Sequence, residues 1–146
     1  MKAVIQRVSE ARVNVSHKTI SQIGPGLLVL LAVAHQDTEK EAEWLAEKIV
    51  NLRIFTDENG KMNLSIKDKK GSLLVVSQFT LYGDVQKGKR PSFIKAASPE
   101  QAENLYNLFI EKVRVNKGIS IKSGRFGAMM KVSLVNDGPV TLIVEK

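Results

Sequence analysis

The sequence predicts an α+β fold in a single domain, mainly antiparallel sheets forming a barrel-like core with two packed helices. Three observations carry that expectation. Apolar stretches at strand spacing outnumber helical ones and often follow one another directly, the pattern of α+β rather than alternating α/β chains. Helix-start signals are read at Thr38 and Ser98. A chain of 146 residues is the size of one domain that buries a core unaided, and with no cysteine it has no disulfide to lean on.

The elements follow in order. Over residues 2–8, Lys2, Val4, Gln6 and Val8 alternate with Ala3, Ile5 and Arg7, a strand period, and "ARVNVS" reads as a second strand. Gly24-Pro25-Gly26 makes a turn into the buried run "GLLVLLAV". Thr38 with Glu41 forms a capping box, opening a helix whose Leu45, Ile49 and Leu52 share one face. Asn59-Gly60 is a preferred type I′ hairpin pair. A strand is expected over 72–82, then the irregular basic stretch "GDVQKGKRPS". Ser98, Pro99 and a reciprocal Gln101 open the second helix, with Ala102, Leu105, Tyr106, Phe109 and Val113 inward. Strands near 119–123, 126–135 and 140–145 close the chain, the last two separated by the turn residues "NDGP".

Composition excludes much chemistry. The longest apolar run, "GLLVLLAVA", is too short to span a membrane. The alternating "MKAVIQRV" lacks a leader's apolar block, so a cytoplasmic location and no membrane partner are expected. His17 and His35 have no ligand-type residues at metal-binding spacing. His35 fits the exit of a strand near the Thr38 cap better than a base. There is no P-loop and no GxGxxG between strand and helix, so neither metal nor cofactor is expected. The carboxylates of "TEKEAEWLAEK" alternate with lysines at helical spacing, a solvated face. The net charge of +7 fits a solvated basic surface or a polyanionic partner such as nucleic acid.

Three stretches stand out. In "SQFTLYGD" a strand period sends Leu73, Val75, Ser77, Phe79 and Leu81 to one face. Leu74, Val76, Gln78, Thr80 and Tyr82 take the other, which turns from aliphatic to amide, hydroxyl and phenol. That is either a strand leaving the core or a site. In "KGKRPSF", Gly88 permits close approach, Lys87, Lys89 and Arg90 supply phosphate-seeking charge, and Phe93 is an edge aromatic; a plain solvated loop has the same composition. "NDGPVT" is a turn whose Gly138-Pro139 bond is a candidate for cis.

Together these stretches resemble the D-aminoacyl-tRNA deacylase (D-tyrosyl-tRNA deacylase) family. "SQFTLYGD" is similar to its SQxTL signature and "NDGPVT" to its NxGPxT signature; "MKAVIQRVSEARVNV", "KGKRPSF" and "RFGAMMKVSLVNDGPVT" are similar too, so the likeness runs from Met1 to the last strand. The resemblance implies a homodimer with an active site at each end of its interface. It implies hydrolysis of the ester between a D-amino acid and the 3′-terminal adenosine of tRNA, and of glycyl-tRNA. It implies that the backbone of Ser77, Gln78 and Phe79 and the hydroxyl of Thr80 line the reaction centre. Gly138-Pro139 would be cis and enter the partner's pocket to reject L-esters, with Arg7 holding the pair. Phe126 and Met130 would lie near the terminal adenine. Met129 matches no pattern and has no assigned role.

The chemistry is coherent with the residues. An aminoacyl ester is activated, so positioning and a backbone oxyanion hole can supply most of the barrier reduction without His or Cys. Thr80 is a nucleophile or a hydrogen-bond group; with no visible base the latter is preferred. The 2′-hydroxyl of the terminal ribose is a candidate to help activate water. Lys87, Lys89 and Arg90 would steer the acceptor stem, Arg90 alternatively bracing its own loop through Pro91 and Ser92. The competing reading is a non-catalytic RNA-binding module with Phe93 and Tyr82 exposed, although no RNP-type aromatic pair or GXXG loop is present.

Overall fold

A computed structural model describes residues 1–116 and 118–146. In chain order it contains β1 (Lys2–Val15), β2 (Lys18–Ile23), β3 (Gly26–Ala32), α1 (Glu39–Asn51), β4 (Phe55–Thr56) and β5 (Met62–Leu64). There follow α2 (Ile66–Lys69), β6 (Ser72–Ser77), a 3₁₀ turn (Phe79–Tyr82), α3 (Pro99–Arg114), β7 (Ser120–Ser123) and β8 (Lys131–Glu145). Two full helices pack on the sheet as expected; α2 is a single extra turn, capped at Ser65 by Asp68.

The long strand β1 organises the sheet, pairing antiparallel with β2, β3 and β8. The path β2-β1-β3-β6-β7 then bends round until Ser21 of β2 donates its hydroxyl to the Ser123 carbonyl of β7, a barrel-like closure. Antiparallel pairing dominates, but β3–β6 and β6–β7 are parallel, because α1 and α3 lie in the connections and carry the chain back over the sheet. Strand period alone does not reveal strand direction.

Why β3 and β6 are aliphatic on both faces is now plain. Leu73 and Val75 join Leu27, Val29 and Leu31 under Leu45, Ile49, Leu105 and Phe109 of the helices. Leu74 and Val76 join Val8, Val13, Ile23 and Leu28 inside the barrel. Strands buried on both sides read as continuous apolar runs.

Local signals mostly hold. Thr38 and Glu41 form the capping box of α1. Ser98 caps α3 by accepting from Gln101 N–H, but the Gln101 side chain does not reciprocate: it donates to the carbonyls of His35 and Asp37, tying α3 to the loop before α1. That loop is pinned by Asp37, which is buried, accepts from Ala34 N–H and pairs with the Met1 ammonium at 2.7 Å.

Two turn expectations are corrected. Of Asn59-Gly60 only Gly60 has positive φ, and Gly60 N–H reaches Asp57 O, so this is not a type I′ turn. Asp57 decides it, its carboxylate accepting from Asn59 and Lys61 N–H and from the Asn63 amide. Positive φ at two successive residues occurs instead at Ser16-His17, between β1 and β2, in the polar turn region around His17.

Gly26 lies opposite Ser72 in a tight backbone approach. A Cβ there would stand 1.8 Å from the Ser72 carbonyl oxygen, a backbone atom with no room to retreat. Gly26→Ala is therefore expected to destabilise the fold by about 3 kcal/mol, the upper end of ordinary overpacking. That would lower Tm by roughly 6–12 °C, measured by thermal unfolding; a Tm within about 2 °C of the parent would mean that β3 and β6 separate at little cost.

Candidate active site

The parallel strands β3, β6 and β7 end at one rim, and there the first signature lies. Carboxyl ends of parallel strands leave the next backbone groups unclaimed by the ladder, which is why sites gather at them. Ser77 is the last residue of β6, paired with Leu31. Gln78 still spends its N–H on Leu31 O at 2.8 Å, and then the chain curls. Leu81 N–H returns to Gln78 O and Gly83 N–H to Thr80 O, closing the 3₁₀ turn.

The expected strand over 72–82 thus stops at Ser77, because Gln78 turns the backbone (φ −148°, ψ 72°). Past that point the two-face alternation fails. Phe79 and Thr80 are both exposed, while Tyr82 is buried against Ala32 and Ala34. Tyr82 is accordingly no exposed aromatic. Burial, then the neighbouring charges of Asp37 and Glu145, push its phenol well above the usual range, and Lys2 Nζ sits over its ring at 4.9 Å.

The curl frees two donors. The first N–H groups of a helical turn have no partner within it, and among the described residues no acceptor meets those of Phe79 and Thr80. Of the expected trio Ser77, Gln78 and Phe79, Gln78 is not a free donor, and Thr80 takes its place. Beside them the Gln78 side-chain amide donates to Thr80 Oγ1, so the hydroxyl accepts there and keeps its own proton to donate. No carboxylate or imidazole hydrogen-bonds it among the described residues. Phe79, 56% exposed, meets Phe93 edge-on at 5.1 Å, forming an apolar lip over the turn. Gly83 permits this: a Cβ there would lie 3.0 Å from both the Phe93 ring and Thr80 O.

From the lip the basic loop departs. Asp84 and Ser92 exchange backbone hydrogen bonds of 2.8 and 2.9 Å, closing the excursion that carries Lys87, Lys89 and Arg90, all exposed. Among the described residues none of the three forms an ion pair. His35 is exposed at the exit of β3, its Nδ1 3.2 Å from Lys95 O.

The second signature is a bulge in β8. Between Gln6 and Val8 the partner strand passes from Thr141 to Asn136, so Asp137–Val140 loop out opposite Arg7. The expected break at "NDGP" is thus a bulge inside one continuous strand, and the Gly138-Pro139 bond is cis. Arg7, buried, holds its base: Nε bonds Asp137 O and pairs with the Asp137 carboxylate at 2.9 Å, while a terminal nitrogen donates to Ile54 O at 2.6 Å. Asn136, to which sequence reasoning gave no role, closes the bulge by donating to Arg7 O and Val140 O. Its place inside the signature was the only signal. Gly138 and Pro139 are left exposed at the tip.

Phe126 and Met130 lie on the rim side of β6. Phe126 tilts against Tyr106 at 5.8 Å, and Tyr106 donates its hydroxyl to Val75 O. Met130 covers Gly124, whose N–H bonds Val75 O. One chain therefore gathers Ser77–Thr80, Phe93, Phe126 and Met130 at one rim. It does not bring the bulge there: β8 lies three strand spacings from β6, about 14 Å, and Arg7 pairs four residues along from the Leu31–Ser77 level, about 13 Å.

The profile of the D-Tyr-tRNA(Tyr) deacylase family matches residues 4–145. A D-aminoacyl-tRNA deacylase of Brevibacillus brevis is 60% identical over 145 residues, and one of Desulfatibacillum aliphaticivorans 63%; each alignment covers 99% of both chains. Among solved structures, a "c-Myc DNA Unwinding Element Binding Protein" superposes with a TM-score of 0.94 at 49% identity, covering 100% of this chain and 99% of that one. A probable eukaryotic D-amino acid tRNA deacylase shares the fold at a TM-score of 0.84 and 20% identity, covering 98% and 97%. The signatures at Ser77–Thr80 and Asn136–Thr141 thus sit in a chain that, over its length, belongs to the D-Tyr-tRNA(Tyr) deacylase family.

Proposed function

We propose that the chain is a hydrolase that cleaves the ester joining a D-amino acid to the 3′-terminal adenosine of tRNA, and glycyl esters too. The observation that carries the site assignment is the pair of unspent N–H groups at Phe79 and Thr80, beside a hydroxyl held by Gln78. Water adds to the ester carbonyl, and the oxyanion that forms takes those N–H donors. The intermediate collapses, the carbon–O3′ bond breaks and the ribose oxygen leaves with a proton. Among the described residues no carboxylate or imidazole hydrogen-bonds Thr80, so the neighbouring 2′-hydroxyl relays the water's proton. Thr80 is a hydrogen-bond group in this scheme.

Chirality is enforced from a second copy of the chain. The tip at Gly138-Pro139 presents main-chain carbonyls for the α-ammonium and leaves no room for a β-carbon on the L side. The separation of the bulge from its own rim supports this arrangement. So does β8, which pairs with β1 alone and shows Val135, Leu142 and Ile143 on its surface. A long free edge is a pairing surface that natural proteins cover. A two-fold dimer would place each bulge at the other chain's rim. No helix among the described residues is long and apolar enough to cross a membrane; a cytoplasmic location goes with the tRNA substrate. Lys87, Lys89 and Arg90 steer the acceptor stem.

The 49% identical neighbour, called a DNA unwinding element binding protein, favours one competing reading, a nucleic-acid binder. Purified protein without added metal is expected to deacylate D-Tyr-tRNA and spare L-Tyr-tRNA. Loss of neither ester would support the binder. Thr80→Ala, which keeps both N–H donors and loses one side-chain hydrogen bond, is expected to slow single-turnover hydrolysis by about tenfold, and a 2′-deoxy terminal adenosine to slow it further. Abolition by Thr80→Ala together with an undiminished rate on the deoxy substrate would restore a Thr80 nucleophile. Finally, Thr80→Ala and Arg7→Gln, each impaired alone, are expected to complement when co-expressed. One site of each mixed dimer is then intact, so activity returns to about a quarter of the parent's. No recovery would place the bulge and the rim in the same chain.

A further inference from the structure

Net positive charge is confined to two tracts. Residues 112–136 hold six cations and no carboxylate, residues 85–99 hold four and none, and the remainder of the chain is net negative. The second tract is the loop already described. The cations of the first have no role assigned so far, yet its segment 124–131 borders the same rim.

Its placement is specific. β7 runs parallel beside β6, and Gly124 N–H bonds Val75 O at 2.8 Å, two residues before Ser77. Arg125 follows, its backbone fixed by a turn in which Ala128 N–H reaches Arg125 O and Gly127 takes φ +70°. The segment returns onto the same strand end: a Cβ at Gly124 would lie 2.6 Å from Met130 Sδ and 3.7 Å from Val76 Cγ2. Arg125 and Lys131, both exposed, are therefore chain neighbours of Phe126 and Met130. Among the described residues ion pairs engage only the N-terminus, Lys2, Arg7 and Lys112, so both cations are unpaired there.

We infer that Arg125 and Lys131 hold backbone phosphates of the single-stranded 3′ end of tRNA, forming the second wall of an entry whose first wall is Lys87–Arg90. Consecutive residues lie about 3.8 Å apart, so, with the terminal adenine beside Phe126 and Met130 as the deacylase reading has it, these cations come within reach of the phosphates next to it. Phosphate contacts fix register and orientation without reading sequence, which suits an enzyme that must accept every tRNA. The inference rests on the deacylase reading.

The test is steady-state hydrolysis of D-Tyr-tRNA by the parent, Arg125→Glu, Lys131→Glu, the double variant, the milder Arg125→Gln, and Lys48→Glu as a charge-reversal control on α1. At low salt the double variant is expected to raise KM at least about tenfold, with kcat within about twofold and an unchanged Tm. The slope of log(kcat/KM) against log[salt] should become shallower by about 0.7 per lost contact, and Lys48→Glu should match the parent. The KM defect should persist on a D-aminoacylated CCA trinucleotide. A KM and salt slope equal to the parent's, or a defect equally large in Lys48→Glu, would overturn the inference. So would a defect that vanishes on the trinucleotide, which would move the contact to the stem. A parent protein that cleaves no D-ester would remove the deacylase reading itself.

Discussion

The parallel pairing of β3 with β6 is the constraint on which the rest depends. It brings Gly26 against the Ser72 carbonyl with no space for a side chain, and it carries its register up to Gln78, whose N–H still bonds Leu31 O. Beyond that bond β3 and β6 diverge, and the backbone of β6 has no neighbour to satisfy it. A 3₁₀ turn is the shortest way to recover some of those hydrogen bonds, and it leaves its first two N–H groups pointing out. The donors at Phe79 and Thr80 are thus what remains where a parallel ladder ends. Their rigidity comes from a strand buried on both faces, with helices above and barrel below, and an oxyanion site needs donors that do not have to reorganise.

The second constraint is the bulge opposite Arg7. A looped-out segment in an edge strand would ordinarily be soft, yet this one is anchored at its base from three directions. The guanidinium joins Asp137 to Ile54 O, and the Asn136 amide ties the two ends of the excursion to β1. The anchoring stops short of the tip, where Gly138 and Pro139 stay exposed. Such a division, a fixed base and an offered tip, is what the proposed insertion into another chain's pocket would require. A charged group buried as Arg7 is costs stability unless fully paired, and here the pairing also sets the geometry of the tip.

How far the sequence spoke for itself depended on the range of the interaction. Contacts within four residues were readable: the Thr38–Glu41 box, the Ser98 cap and both helix faces stand as expected. The departures arose where a distant group decided. The turn at Gly60 is a local exception, shaped by the Asp57 carboxylate two to four residues away rather than by Asn59. Gln101 left its own cap for the His35 and Asp37 carbonyls. The strand period through "SQFTLYGD" was misleading for the same reason. Nothing local says that the ladder stops at Leu31, so Thr80 and Tyr82 were put on one face, although one is exposed and the other buried. Family signatures located the residues of the rim, but the roles of Gln78 N–H and Thr80 N–H follow only from which acceptor is already taken.

Charge follows the same logic at longer range. A net +7 says only that an anion is welcome, and a solvated surface would carry that number equally well. What distinguishes this chain is that the carboxylates are kept out of two tracts and that the fold brings one part of each, Lys87–Arg90 and Arg125–Lys131, beside the rim with the free N–H donors. Attraction for a polyanion is then concentrated where the ester must be placed. An enzyme that carries no base of its own depends on holding its substrate still, because proximity and orientation are the largest contributions left to it. In the proposed mechanism the cations around the rim and the donors within it are parts of one device: the first would fix the RNA, and the RNA would bring the ester to the second.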